Sequence, residues 1–313
     1  MAVSESAERG ARVIGAAGAT TRVARDINST ILAYLRLTKP RIVSLLVVTT
    51  VPAMILAEQG LPSLWLMLAT VLGGSVVAAG ANAMNMYFDR DIDELMQRTR
   101  DRPVPAGQIE PEQAAAFGMA LGAAGFVFLA LAVNLLAATL TIGAFAFYVV
   151  VYTLLLKRTT PLNIVIGGAA GAMPPVIGWA AVTGEVSLAS LCMFAIVTAW
   201  TPPHFWALSL NYSKDYERAG VPMLPVVAGP AETKRQILVY TIGLVAITTA
   251  LTFVSAAGVV YLIAASALGA GFVYYAVRLT RDVSARASAA LFRYSIVYLA
   301  LLFGAIALDG LLG

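Results

Sequence analysis

ANAMNMYFDRDIDELMQRTRDRPVPAG, residues 81–107, closes a long apolar run with Asn85, Asp89 and Asp93 at every fourth position. On a helix that spacing stacks the three side chains on one face. Arg90 and Asp91 point elsewhere, and Arg98, Arg100 and Arg102 follow closely. Acidic groups favour helix N-termini, yet Asp89 and Asp93 come at the C-terminal end of the run, where the helix dipole opposes them. Acids kept at a disfavoured position, where an apolar helix reaches water, read as a site.

The rest of the chain decides what kind of helix carries it. Of 313 residues 59% are hydrophobic and only 12% charged, with mean hydropathy +0.81; a soluble domain has roughly a quarter charged residues. The expectation is an all-α polytopic membrane protein seated in a lipid bilayer. Spans of roughly 20 apolar residues fall near 42–58, 64–87, 112–134, 136–156, 162–182, 187–209, 236–256, 258–278 and 290–309, nine in all. Residues 1–28 lack a continuous apolar core and read as a flexible tail, neither cleavable signal peptide nor span. The lone Cys192 excludes an internal disulfide framework and any Cys-based metal cluster. No GxGxxG or Walker loop supports nucleotide-driven transport.

Charge orients the bundle. With those spans all 21 Lys and Arg fall on one side, and the other carries only Glu58, Glu185 and Asp309. The positive-inside rule then predicts a cytoplasmic N-terminus, an outside C-terminus, and both long loops, 88–111 and 210–235, in the cytoplasm. The net charge of +4 follows this topology, and no nucleic-acid partner is expected.

Those loops also match each other. A shift of 122 residues pairs Asp89 with Asn211, Asp93 with Asp215, Pro103 with Pro225, Gly107 with Gly229 and Glu110 with Glu232. This predicts one intramembrane domain over 29–313, made of related halves at about 42–160 and 162–281 plus a final helix.

Asn85, Asp89 and Asp93, with Asn211 and Asp215 from the second half, are hard oxygen donors. They suit magnesium, which takes one or two carboxylates and completes its shell with water and phosphate oxygens. Arg98, Arg102 and Lys157 are candidates to clamp a diphosphate, whereas Lys39, Arg41 and Arg158 answer first to the topology rule. His204, the only histidine, lies in TPPHFWALSLNYSKD and pairs with Asn82 under the same shift. Pro202 and Pro203 are expected to break the helix there. Iron ligation and substrate orientation are both within its chemistry.

The NxxxDxxxD pattern with its trailing RTRDRPVPAG, and a second polar motif half a chain later, resembles the UbiA superfamily of intramembrane prenyltransferases. LTKPRI at 37–42, YTLLLKRTTPLNIVIGGAAGAMPPVIGW at 152–179 and TPPHFWALSLNYSKDYERAGVPMLPVV at 201–227 are similar to the branch that farnesylates haem, over about residues 30–310. One departure is Asn211, where many relatives carry an aspartate. The resemblance implies nine helices around a central cavity, farnesyl diphosphate and haem B as substrates, magnesium as cofactor, and a bacterial inner-membrane location. It also implies haem A synthase or oxidase-assembly partners. Prenylation of a quinone precursor is the nearest alternative. A secondary transporter, with paired repeats of its own, should place its polar groups nearer the midplane.

Overall fold

The computed structural model describes residues 28–282 and 284–312, without the side chains at 41, 42, 44 and 45. The expected tail, up to its last residue, and the side chain of Arg41 thus lie outside the described residues. Everything described is helix or connecting turn. A short helix α1 (28–37) leads into α2 (Pro40–Glu58), α3 (Leu64–Phe88), the short α4 (Arg90–Leu95), α5 (Pro111–Ala132) and α6 (Leu135–Leu156). Then come α7 (Asn163–Gly171), α8 (Met173–Thr183), α9 (Leu188–Asn211), the short α10 (Ser213–Arg218) and α11 (Leu224–Val227), and α12 (Gly229–Val254), α13 (Val259–Arg281) and α14 (Ala285–Leu312).

Among the described residues, eight elements are long and apolar enough to cross a membrane by themselves, α7 and α8 counting as one. The expected first span is α2, whose 19 residues extend about 28 Å, close to the hydrocarbon thickness of roughly 30 Å. The helices pack as a closed circuit: α3 lies on α5, α9 on α12, α13 on α14, and α14 returns to α2. Lipid is as apolar as leucine, so tight association needs small residues that let backbones meet. The α3–α5 seam has them. A Cβ on Gly80 would stand 2.5 Å from the carbonyl oxygen of Gly118 and 2.9 Å from the nitrogen of Gly122.

Two expectations are corrected here. Pro202 and Pro203 do not break α9, which runs unbroken through both. They remove the donors that would meet the carbonyls of Thr198 and Ala199, but Trp200 to His204 are all buried in the bundle, and that packing keeps the turn helical. The helix break falls instead at Ala172, ahead of Pro174 and Pro175, and divides α7 from α8. The seventh span also begins earlier than hydropathy indicates. Pro111 opens α5 and Pro230 the first turn of α12, and Glu232 pairs with Arg235 at 2.7 Å, so a charged turn precedes the apolar stretch.

Asp309, read from sequence as a lone acid on the outer side, is a helix cap. Its Oδ2 accepts from the backbone N–H of Gly258 at 2.7 Å and of Tyr261 at 2.8 Å, at the start of α13. Those donors have no intrahelical partner. Asp309→Ala is expected to cost about 1–3 kcal/mol, read as a lower thermal midpoint in detergent, and Asp309→Asn less, since one acceptor remains.

Candidate active site

Asp89 is the joint between α3 and α4. Its φ of −90° and ψ of 2° turn the chain, yet the i to i+4 bonding survives: Asp89 N donates to Asn85 O at 2.9 Å and Asp93 N to Asp89 O at 2.8 Å. The three polar residues therefore stay stacked. All are buried, Asp89 completely. Taking charges out of water is costly unless each meets a partner, and the partners come from distant elements. Lys39 Nζ donates to Asn85 Oδ1 at 2.9 Å. Asn85 Nδ2 in turn donates to Asp89 Oδ2 at 2.6 Å and to Thr153 Oγ1 at 3.2 Å. Lys157 makes an ion pair with the same Asp89 oxygen, and Arg102 donates to Asp93 Oδ2 at 2.6 Å.

Local backbone geometry aims two of these cations. The second half of α6, Phe147–Leu156, is π-helical, a form frequent at functional sites. Its wider turn carries Lys157 N to Tyr152 O at 2.8 Å and Thr153 Oγ1 to Tyr148 O at 2.9 Å, and so presents Thr153 and Lys157 to α3. Lys39 sits before Pro40 with φ 49° and ψ 62°, a left-handed conformation that costs a non-glycine residue about 1–3 kcal/mol. Asn82 Nδ2 fixes that turn through the carbonyl of Thr38 at 3.1 Å. Burial, and then the charge of Arg102, push the Lys39 ammonium well below the usual lysine range. An anion arriving beside it would favour the charged ammonium.

Lys39, Arg102 and Lys157 thus surround Asp89 and Asp93, leaving excess positive charge for an anionic ligand. One acceptor stays open: Asp89 Oδ1 is buried with no hydrogen-bond partner. Among the described residues no three His, Cys, Asp or Glu converge on a point, so no all-protein metal cage exists there. Two carboxylates and an amide with an unused buried oxygen do fit magnesium, which takes most of its other ligands from phosphate and water.

The second motif is arranged differently. Asp215 is buried, with Arg218 Nη1 at 3.7 Å from its Oδ1. Asn211, at the end of α9, is exposed, and its Oδ1 accepts from Ser288 Oγ on α14 at 2.8 Å. Arg98 does not join the acidic pair. It donates to the Tyr216 hydroxyl at 3.4 Å and lies 5.8 Å from the centre of the Tyr212 ring, linking the first loop to α10. Ile92 and Met96 meet Tyr216, Val221 and Met223 in one buried cluster, so the two short helices adjoin. The paired glycines both take positive φ, 66° at Gly107 and 77° at Gly229. Arg158 pairs with Asp91 at 2.6 and 2.7 Å on an exposed surface, and this bond holds the Asp91 carboxyl below the usual range.

His204 lies two turns before Asn211, nine-tenths buried. Trp200 covers one face, with ring centres 4.3 Å apart, and Phe292 stacks at 4.6 Å. Its Nδ1 is 2.6 Å from Ser295 Oγ. Sequence reasoning gave Lys39 too little weight, although LTKPRI sets a lysine against a helix-starting proline. It missed Thr153, whose role depends on the π turn, and Ser295, for which the sequence holds no signal. A shallow surface groove between α1 and α5, lined by Tyr34, Gln113 and Phe117, contains none of these residues.

The chain and its fold have counterparts among known proteins. The model of the UbiA prenyltransferase family matches residues 46–302, and the chain belongs to that family. Within it, the chain is 53% identical over 279 residues to the protoheme IX farnesyltransferase of Gloeobacter violaceus, covering 89% of this chain and 92% of that one. It is 51% identical over 276 residues to the protoheme IX farnesyltransferase of a Roseiflexus species, covering 88% of this chain but 52% of that protein, so the chain spans about half the length of that relative. Among solved structures, digeranylgeranylglyceryl phosphate synthase superposes with TM-score 0.74 at 18% identity, over 91% of this chain and 99% of the other. A UbiA homologue from Archaeoglobus fulgidus bound to GPP and Mg2+ gives 0.57 at 18% identity, over 88% and 99%. At such identities the likeness is one of fold.

Proposed function

We propose that this chain transfers the farnesyl group of farnesyl diphosphate to the 2-vinyl group of haem B, with addition of water, giving haem O and diphosphate. The observation that carries the reading is the buried Asp89, its Oδ1 unpartnered beside Lys157 and Asp93; the names of the relatives at 51–53% identity support the choice of haem. Asp89, Asp93 and Asn85 would hold magnesium, with Asp215, and Asn211 once freed from Ser288, contributing from the second half. When bound, the metal would supply positive charge against the departing diphosphate. Lys157, Arg102 and Lys39 bind the diphosphate oxygens, and Arg98 keeps the loop closed against α10.

The chemistry then balances simply. The C1–O bond of farnesyl diphosphate breaks, with its electron pair leaving on diphosphate. The terminal vinyl carbon attacks the allylic cation at C1, and water adds to the adjacent carbon and loses a proton. The apolar bundle excludes other water from the cation. His204 binds the haem. The two motif loops belong to related halves of one domain, at the cytoplasmic face of the bacterial inner membrane, a reading supported by the charge distribution; the haem O formed passes to haem A synthase or oxidase assembly.

Purified protein given haem B, farnesyl diphosphate and magnesium should yield a product heavier than haem B by one farnesyl group and one hydroxyl group. A product only from a quinone precursor would overturn the haem assignment. Two adjacent cations should separate cleanly. Lys157→Ala strips the partner from a buried carboxylate, and turnover should fall at least about a hundredfold. Arg158→Ala breaks an exposed pair of roughly 0–1 kcal/mol, so turnover should change less than about fivefold.

A further inference from the structure

We infer that Ser295 is the positioning residue that sets the tautomer of His204, so that the imidazole meets the haem iron through Nε2. The inference rests on the reading that His204 binds haem and adds which atom does so and what holds it.

The direction of two hydrogen bonds carries the argument. Ser295 Oγ lies 2.6 Å from His204 Nδ1 and donates its hydrogen to the carbonyl oxygen of Phe292, also at 2.6 Å. A hydroxyl has one hydrogen to give. With it committed to Phe292, Ser295 Oγ can only accept from the imidazole, so the proton resides on Nδ1 and the lone pair on Nε2. The second bond polarises the hydroxyl and improves it as an acceptor.

The surroundings leave that lone pair one outlet. Trp200 and Phe292 lie nearly parallel to the ring, at 18° and 25°, covering its faces, and Phe205 meets it edge-on. Trp200 is itself fixed, its Nε1 donating to the main-chain oxygen of Ser295 at 2.8 Å, so one residue of α14 holds both the imidazole and its stacking partner. Nε2 has no partner among the described residues, and it is not among the polar atoms sealed inside the protein. An imidazole clamped on its faces, bonded at Nδ1 and open at Nε2 is prepared for an axial metal bond. The hydrogen bond at the far nitrogen fixes orientation and raises basicity, as the hydrogen-bond partners of metal-bound imidazoles do elsewhere.

The test uses the full chain in detergent with haem B alone. Ser295→Ala removes Oγ but spares the Trp200 bond, which goes to the backbone. It should weaken haem B binding about 10-fold or more and move the iron–histidine stretching band of the ferrous complex to lower frequency. Ser295→Thr keeps the hydroxyl and should hold both values. The band is read only on folded, haem-bound protein, so a loss of stability does not mimic the shift. Unchanged affinity and an unmoved band in Ser295→Ala would overturn the role given to Ser295. If His204→Ala instead retained the natural spectrum and affinity, the reading of His204 as the haem ligand would fall first.

Discussion

Asp89→Asn is expected to lower haem O formation by about a thousandfold, measured by mass under single turnover with saturating haem B and farnesyl diphosphate. The substitution keeps the shape of the side chain and an acceptor for Asn85, but removes the charge. That charge has two duties. It supplies the buried, unpartnered oxygen suited to magnesium, and it balances Lys157. Electrostatic groups aimed at charge that develops as a bond breaks contribute about 10²–10³ each when removed singly, and Asp89 is the most deeply buried of the set. The variant also strands a buried ammonium, which destabilises strongly. Asp89→Asn combined with Lys157→Met removes both charges and should recover stability without recovering turnover. Turnover within tenfold of the natural chain in either variant would remove Asp89 from the site.

The second large effect is structural. Gly80→Ala adds a single methyl, yet it would stand 2.5 Å from the Gly118 oxygen and 2.9 Å from the Gly122 nitrogen. Both obstacles are main chain, so α5 as a whole must move. Overpacking costs about 1–3 kcal/mol where side chains can yield, and here none can. The expected outcome is little monodisperse protein after extraction, and a thermal midpoint well below that of the natural chain. Gly74→Ala, on the same helix, meets nothing within 4 Å. It should be neutral or gain up to about 1 kcal/mol from helix propensity. A similar yield and midpoint for the two variants would show that the seam is looser than its glycines indicate.

How much of this was legible in the sequence depended on how far apart the cooperating residues lie. The stacking of Asn85, Asp89 and Asp93 is a local property of one helix, and the i, i+4 period displays it. The membrane spans were legible because hydropathy and the side chosen by Lys and Arg are independent signals that agree. The companions of Asp89 were harder, since Lys39 and Lys157 arrive from other helices and only packing reveals which lysine of several reaches it. Asn211 matches Asp89 under the 122-residue shift, but Ser288 of α14 takes its oxygen, a contact between residues far apart in the chain. The persistence of α9 through Pro202 and Pro203 was illegible for a related reason. A local rule about proline yields to burial on every side, which the neighbouring helices supply.

The wide turns that end α6 also say how the position of Lys157 is encoded. Its azimuth around the helix is set by a count of residues, not by any one side chain: from Phe147 to Leu156 the chain spends more residues on each turn than an ordinary helix spends. Removing a single residue there would let the segment relax to the tighter winding, with composition and hydropathy almost unaltered, and swing the ammonium out of phase with Asp89. At this wall of the site, length is as specific as chemistry.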